Sequence, residues 1–349
     1  MSIYTQLGVR RVVNGRGHLT LLGGSILPKE VIDAMIDANQ CFVNLDELQE
    51  KSGELVAKLL GAESALVTSG AFAALVLASA ACMTGDDKEL IEKLPHTESM
   101  RNEIIIQKGL RTNYDRAMTV PGAKLLEVGD EKGTLLQHIE EAINDRTAAI
   151  HFLAPGGHEG TLSFEKILRL GKDQKVPVIV DAAGQALPPE NLKKYVAMKA
   201  DLVCYGAKYF DGPNSAGILC GNKALVEAAK LQMFVRFESQ GIRNIGRGMK
   251  LDRQEIVATV VALQRWLTMD HKVRLQAQNK KILWLVNELN KLKGVTAKLG
   301  EERMEIPTSA CVTLKQEKLG LKAKEVVELL KNGDPCVWTN LRGETIVIS

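Results

Sequence analysis

Residues 176–185, VPVIVDAAGQ, and 201–221, DLVCYGAKYFDGPNSAGILCG, decide how this chain is read. The first is an apolar run of strand character that ends in Asp181. The second is a strand, a turn carrying Lys208, and another strand. In open α/β sheets the carboxyl ends of the strands face the crevice where ligands bind. A strand-ending acid therefore points at that crevice, and a lysine in a glycine-flanked turn shortly afterwards reaches the same place.

Working outward, the chain up to Lys250 alternates short Val/Ile/Leu-rich runs with amphipathic helical patterns. That texture predicts a mostly parallel sheet covered by helices. The spacing predicts strands over 64–67, 103–106, 124–128, 148–152, 176–180, 202–204 and 216–220. Between them it predicts helices over 45–60, 135–143 and 164–173. After Lys250 the pattern changes. Asp252 and Asp270 are N-cap candidates for helical stretches running to about Met269 and Leu292. The remainder mixes strands (310–314, 346–348) with a helix near 323–330. The expected division is a large domain over 1–250 and a small α+β domain over 251–349, with the first ~25 residues packing on the small domain or a partner subunit. The polar stretch 84–102 is the one extended loop candidate.

The chain has 349 residues, of which 45% are hydrophobic, which is ample for a buried core. Charge is nearly balanced, with 45 Lys and Arg against 42 Asp and Glu. No concentrated basic run marks a nucleic-acid partner, so a small-molecule substrate is expected. The start, MSIYTQLGVRRVVNGRG, lacks the apolar core of a signal peptide, and no stretch is long and apolar enough to span a bilayer. The six cysteines are scattered without a C-x-x-C pair and read as reduced thiols, with no metal site implied. Together these features predict a cytoplasmic protein.

An amine and a carboxylate in one crevice are what pyridoxal phosphate (PLP) chemistry requires. The amine forms the Schiff base, and the anion keeps the pyridine nitrogen protonated so that the ring accepts electrons. Taken singly, each residue has an ordinary reading, with Asp181 capping the next helix and Lys208 merely solvated. In this order and spacing they favour PLP. Upstream, ALVTSGAFAALVLASAACMTG (65–85) runs a short strand into Ser69, Gly70 and Ala71 and then an alanine-rich helix. Such a turn offers free N–H groups and a positive helix end to a phosphate, although many βα turns of this composition bind nothing.

The chain resembles the PLP enzymes related to bacterial selenocysteine synthase (seryl-tRNA selenium transferase), in particular the short members akin to D-glucosaminate-6-phosphate ammonia-lyase. The resemblance runs from about Leu7 to Met269. It is carried by LLGGSILPKEV, FVNLDELQEKSGELVAKLLGAESALVTSGAFAAL, ACMTGDD, LPHTESMRNEIIIQKG, DAAGQALPPENL, YGAKYFDGPNSAGILCG and IGRGMKLDRQEIVA. It implies a PLP-dependent fold of type I, like aspartate aminotransferase, with Lys208 as the Schiff-base lysine and Asp181 as the pyridine partner. It places Ser69, Gly70 and Ala71 at the cofactor phosphate, and it implies a homo-oligomer with active sites between subunits. Two departures stand out. Tyr205 occupies a position where relatives often carry a phosphate-binding serine, so its phenol is the candidate replacement. Leu110 stands where short members tend to have a histidine.

Arg16, Arg111, Arg247 and Lys250 are the candidates for holding substrate anions; Arg247 and Lys250 lie in the glycine-punctuated segment GIRNIGRGMKLD. His18 and His158 in glycine-rich turns are acid–base candidates, and Tyr114 is a candidate to stack on the cofactor. The leading expectation is a lyase that eliminates water from a small, phosphorylated or unphosphorylated, hydroxy amino acid or amino sugar acid and releases ammonia. The alternatives are selenium transfer onto seryl-tRNA, racemisation or aldol cleavage on the same scaffold, and a catalytically silent binding protein. Balanced charge, and a start close to the catalytic body, argue against tRNA.

Overall fold

A computed structural model describes residues 2–349. In chain order its strands are β1 (Val12–Gly15), β2 (Ser64–Thr68), β3 (Glu103–Gln107), β4 (Lys124–Val128), β5 (Thr147–Leu153), β6 (Val178–Asp181) and β7 (Leu202–Gly206). They continue with β8 (Gly217–Gly221), β9 (Val295–Leu299), β10 (Glu302–Arg303), β11 (Ile306–Pro307), β12 (Ala310–Leu314), β13 (Cys336–Arg342) and β14 (Thr345–Ile348). The chain divides into two compact units, Ser25–Leu267 and Met1–Gly24 with Thr268–Ser349. The division falls after Leu267, so the helix Arg253–Thr268 counts almost wholly with the larger unit.

The larger unit holds a seven-stranded sheet in the order β2-β8-β7-β6-β5-β3-β4. β8 runs antiparallel to its neighbours β2 and β7, and the other pairs are parallel. β2, β6, β7 and β8 are buried along their whole length, as their Val/Ile/Leu content requires of strands covered on both faces. The helix Gly70–Thr84 is apolar all round and almost entirely buried, which is how a helix enclosed by its own domain reads. It lies against β5 to β8.

The helix Leu45–Leu60 shows how local sequence sets an element. Asn44 caps its start, its side chain accepting from Asp46 N–H at 2.8 Å, and Gly61 ends it in the left-handed conformation at φ +74°. Gln49, Ser52, Gly53, Val56 and Leu60 form its buried stripe. A methyl at Gly53 would stand 2.3 Å from the Ala65 carbonyl oxygen, so this glycine is there for close approach to β2. The stretch 84–102, expected as a loop, contains the helix Lys88–Lys93. Asp87 caps it through Glu89 and Leu90 N–H, a signal masked by the short length of the apolar pattern.

The smaller unit is a five-stranded sheet in the order β1-β13-β14-β12-β9, parallel only between β1 and β13. The helix His271–Leu289, capped by Asp270 through Val273 N–H at 3.0 Å, and the helix Ala323–Asn332 build its core with Ile282, Val286, Val312 and Ile346. Among the described residues, no helix is long and apolar enough to cross a membrane.

Candidate active site

Three segments of the larger unit meet at the carboxyl-terminal rim of β6 and β7. The turn after β6 and the turn after β7 are laced together by backbone bonds. Ala182 N–H donates to Cys204 C=O at 3.0 Å, and Gly206 N–H donates to Ala183 C=O at 3.0 Å. The Lys208 turn, Ala207–Phe210, is fastened next by Ala207 N–H to Ala216 C=O at 2.9 Å and by Gly212 N–H to Ala207 C=O at 2.8 Å. It closes at Asp211, which is left-handed at φ +61° and whose carboxylate meets Arg265 at 3.1 Å. Ser25 Oγ also donates to the Lys208 carbonyl.

The third segment abuts this one. A Cβ at Gly217 would stand 2.5 Å from Gly70 C, 2.7 Å from Ala71 N and 2.7 Å from Tyr205 O. Only a glycine lets β8 bring the start of the helix Gly70–Thr84 against the end of β7. Gly70 itself has φ +85°, and the Ser69 side chain makes no capping bond. The first N–H groups of that long helix have no intrahelical partner, and the Ser69 hydroxyl stands at its start.

Asp181 is the last residue of β6 and is 6% exposed. Its Oδ1 accepts from Ala183 N–H at 3.0 Å. Burial raises its pKa above the usual carboxylate value, the Ala183 bond opposes that, and the Asp115 charge adds to it. Lys208 is half-buried, and burial lowers its pKa. Its Nζ lies 5.1 Å from the centroid of the Tyr209 ring. That ring rests against two glycines: a Cβ at Gly184 would be 3.7 Å from its Cζ, and one at Gly206 would be 3.3 Å from its Cδ2.

The Lys208 amine, the buried Asp181 carboxylate and the helix start at Ser69, Gly70 and Ala71 thus share one rim. Tyr205 is a correction. It is 1% exposed, and its hydroxyl donates to Leu192 C=O at 3.1 Å. Cys204 pairs with Asp181 in register and shares its face; side chains alternate along β7, so Tyr205 faces the opposite layer and is no phosphate donor. Arg111 is held by Asp115 at 2.6 Å and Glu127 at 2.5 Å. Arg247 pairs with Glu238 at 2.6 Å and lies over the Phe237 ring, while Lys250 is exposed. Arg16 belongs to the smaller unit and donates to Asn340 at 2.8 Å, and His18 lies in the same unit. His158 is exposed, Tyr114 is 66% exposed, and Leu110 is buried.

Two further residues escaped the sequence reading. Asp115 is 4% exposed and His151 is 2% exposed, the latter in the middle of β5. A histidine inside the apolar run AAIHFLA was the available signal for it.

Comparison with known proteins places this chain in a family. The family model for L-seryl-tRNA selenium transferase matches residues 12–349. The D-glucosaminate-6-phosphate ammonia lyase of Salmonella typhimurium is 31% identical over 345 residues, covering 97% of this chain and 89% of that protein. The 5'-C-glycyluridine monooxygenase-decarboxylase of a Streptomyces species is 29% identical over 344 residues, covering 96% and 83%. Among solved structures, a D-glucosaminate-6-phosphate ammonia-lyase superposes with a TM-score of 0.88 at 28% identity, covering 100% of this chain and 93% of that one. Aspartate aminotransferase from Thermotoga maritima matches with a TM-score of 0.52 at 15% identity, covering 99% and 88%, which shows the fold alone. The fold is that of the aspartate-aminotransferase type, and the chain belongs to the L-seryl-tRNA selenium transferase family.

Proposed function

We propose that this protein is a PLP-dependent ammonia-lyase acting on a phosphorylated hydroxy amino acid of the amino-sugar-acid class. The observation that carries the reading is the meeting of Lys208, Asp181 and the Ser69–Gly70 turn on one rim. The likeness to D-glucosaminate-6-phosphate ammonia lyase over nearly the whole chain supports it.

The residues fit the cofactor. The N–H groups at the start of the helix Gly70–Thr84 and the Ser69 hydroxyl suit its phosphate, and the Gly217 contact keeps that turn against the end of β7, just before the lysine turn. The Asp181 carboxylate is placed to hold a proton on the ring nitrogen, and the Lys208 amine to hold the cofactor's aldehyde carbon. When bound, the protonated ring supplies a sink for the electron pair left as a proton departs from the substrate's α-carbon.

Lys208 is the base that takes that α-proton and the acid that returns one. Its burial lowers the cost of the neutral amine near physiological pH. Asp181 must be ionised to do its part. Burial opposes this, so a cationic ring nitrogen beside it is the partner that favours the charged form. Arg247 and Lys250 are the residues we assign to the substrate anion. The net change turns the hydroxy amino acid into a 2-keto acid and ammonia, because the water lost from the β-carbon is regained in the hydrolysis that frees ammonia. The enzyme works as a homo-oligomer with shared sites. Ile26, next to the Ser25 that bonds the Lys208 carbonyl, is 97% exposed, and Phe42 is 95% exposed; such apolar side chains are the kind a second copy covers.

The test is to measure ammonia and 2-keto acid from D-glucosaminate-6-phosphate, from its unphosphorylated parent and from serine, with PLP added. Turnover of the phosphorylated acid above the other two is the expected result. Exchange of the α-hydrogen with deuterium without ammonia would replace the lyase with a racemase. Tight tRNA binding in a gel shift at moderate salt would replace it with selenium transfer.

A further inference from the structure

His151 is almost fully buried in β5, and neither of its ring nitrogens has a hydrogen-bond partner. A neutral imidazole carries one donor and one acceptor, and buried polar groups without partners are rare enough to call for a reason. The neighbours across the sheet supply none, since Ile106 of β3 and Ile179 of β6 stand opposite it in register. Asp115 lies near enough to act on it by charge. Its carboxylate, however, is already engaged by Arg111 Nε at 2.6 Å, Thr112 N–H at 2.9 Å and Thr112 Oγ1 at 3.2 Å.

The register says where the imidazole sits relative to the site. Asp181 pairs with Leu153, and His151 lies two residues before Leu153 on the same strand. Side chains two apart on a strand share a face. His151 and Asp181 therefore project from one face of adjacent parallel strands as diagonal neighbours, with Cα atoms roughly 8 Å apart from the spacing between strands and the rise of two residues. Asp181, for its part, has one backbone donor, Ala183 N–H. A buried carboxylate that must be ionised to serve the cofactor needs more donors than that. Burial pushes the His151 pKa down to about 4, so the ring is neutral and has an N–H to give without bringing a second charge.

We infer that His151 is a positioning residue for Asp181. Its imidazole N–H donates toward the Asp181 carboxylate when that carboxylate is ionised against the cofactor's ring nitrogen, and so fixes its orientation and charge. The inference rests on the reading of Asp181 given above, and it assigns a purpose to an otherwise unpaired buried ring.

The test measures cofactor affinity of the apo-protein by equilibrium dialysis, for PLP and for an analogue with carbon in place of the ring nitrogen. His151→Phe keeps the ring shape and removes both nitrogens. His151→Gln restores an amide N–H. His151→Phe should bind PLP about tenfold more weakly, which corresponds to roughly 1.4 kcal/mol, yet bind the analogue as the wild type does. His151→Gln should recover most of the loss. Equal weakening for both cofactors would mean a purely structural residue and would overturn the inference, as would unchanged PLP affinity in His151→Phe. Should His151→Phe fail to fold, imidazole 15N NMR of the wild type decides. On adding PLP, but not the analogue, the resonance that is missing from His151→Gln should shift to a hydrogen-bonded position, and no shift overturns the inference. Failure of the wild type to bind PLP at all would instead remove the functional reading, and this inference with it.

Discussion

Two aspartates, Asp181 buried and Asp201 half-buried, sit at opposite ends of the large sheet. Asp181 closes β6 at the carboxyl end; Asp201 precedes β7 at the other. Burial raises the pKa of both above the ordinary carboxylate value, and each accepts a backbone N–H, from Ala183 at 3.0 Å and from Val178 at 2.9 Å. Asp201 lines a polar hollow of about 190 Å³ with Glu63, Lys199 and Asn222. A perturbed carboxylate therefore does not mark a site by itself. The difference lies in company. Asp181 has a half-buried amine on the neighbouring turn, a helix start across the rim and an unpaired imidazole on its own face of the sheet. Asp201 has a backbone amide and nearby surface charges.

The comparison can be broken most sharply at the amine. Lys208→Ala should lower ammonia release by about 10^4-fold, the scale of a lost acid–base group, with the fold intact by circular dichroism. Next comes Asp181→Asn, which should cost on the order of 100-fold in turnover and weaken PLP binding, read by steady-state kinetics and dialysis. Gly217→Ala follows. Its methyl must displace Gly70, Ala71 or the Tyr205 carbonyl, and the resulting shift of the helix start should weaken PLP affinity by about tenfold or more. Lys250→Ala should raise KM for the phosphorylated substrate by about tenfold with kcat little changed. Arg111→Ala, whose guanidinium is committed to Asp115 and Glu127, should act on stability instead.

The smallest effect separates the two aspartates most cleanly. A carboxyl whose folded pKa is raised contributes stability below its unfolded pKa and loses it as pH rises through the folded value. Asparagine removes that loss. Asp201→Asn should then melt slightly higher than the wild type at neutral pH, with the gap narrowing as pH falls into the ordinary carboxylate range, and with activity unchanged. Asp181→Asn should show the same melting behaviour in the apo-protein while losing function. A drop in activity for Asp201→Asn would mean that the two ends of the sheet are coupled.

Much of this site was legible because it is built from consecutive short motifs. A strand-ending acid, a lysine in a glycine turn and a Ser-Gly helix start each declare themselves locally, and the strand and helix periods around them agree. What was not legible depends on faces and on distant pairs. Alternation along β7 says that Cys204 and Tyr205 point apart, but not which of them meets the crevice, so the Tyr205 phenol was assigned to the wrong layer. Arg111 has one partner four residues away, at Asp115, and another at Glu127 that only the pairing of β3 with β4 brings near. His151 was hidden by its own neighbours, because an apolar strand gives no hint that one of its members is polar and unpaired.

The most direct test of the central claim is the visible absorption spectrum of the purified protein with PLP, beside that of Lys208→Ala. A yellow band that persists through gel filtration in the wild type and is absent in the variant is the predicted result. A wild-type protein that stays colourless after added PLP, or a variant that keeps the same band, would contradict the assignment of Lys208 and with it the account of the rim.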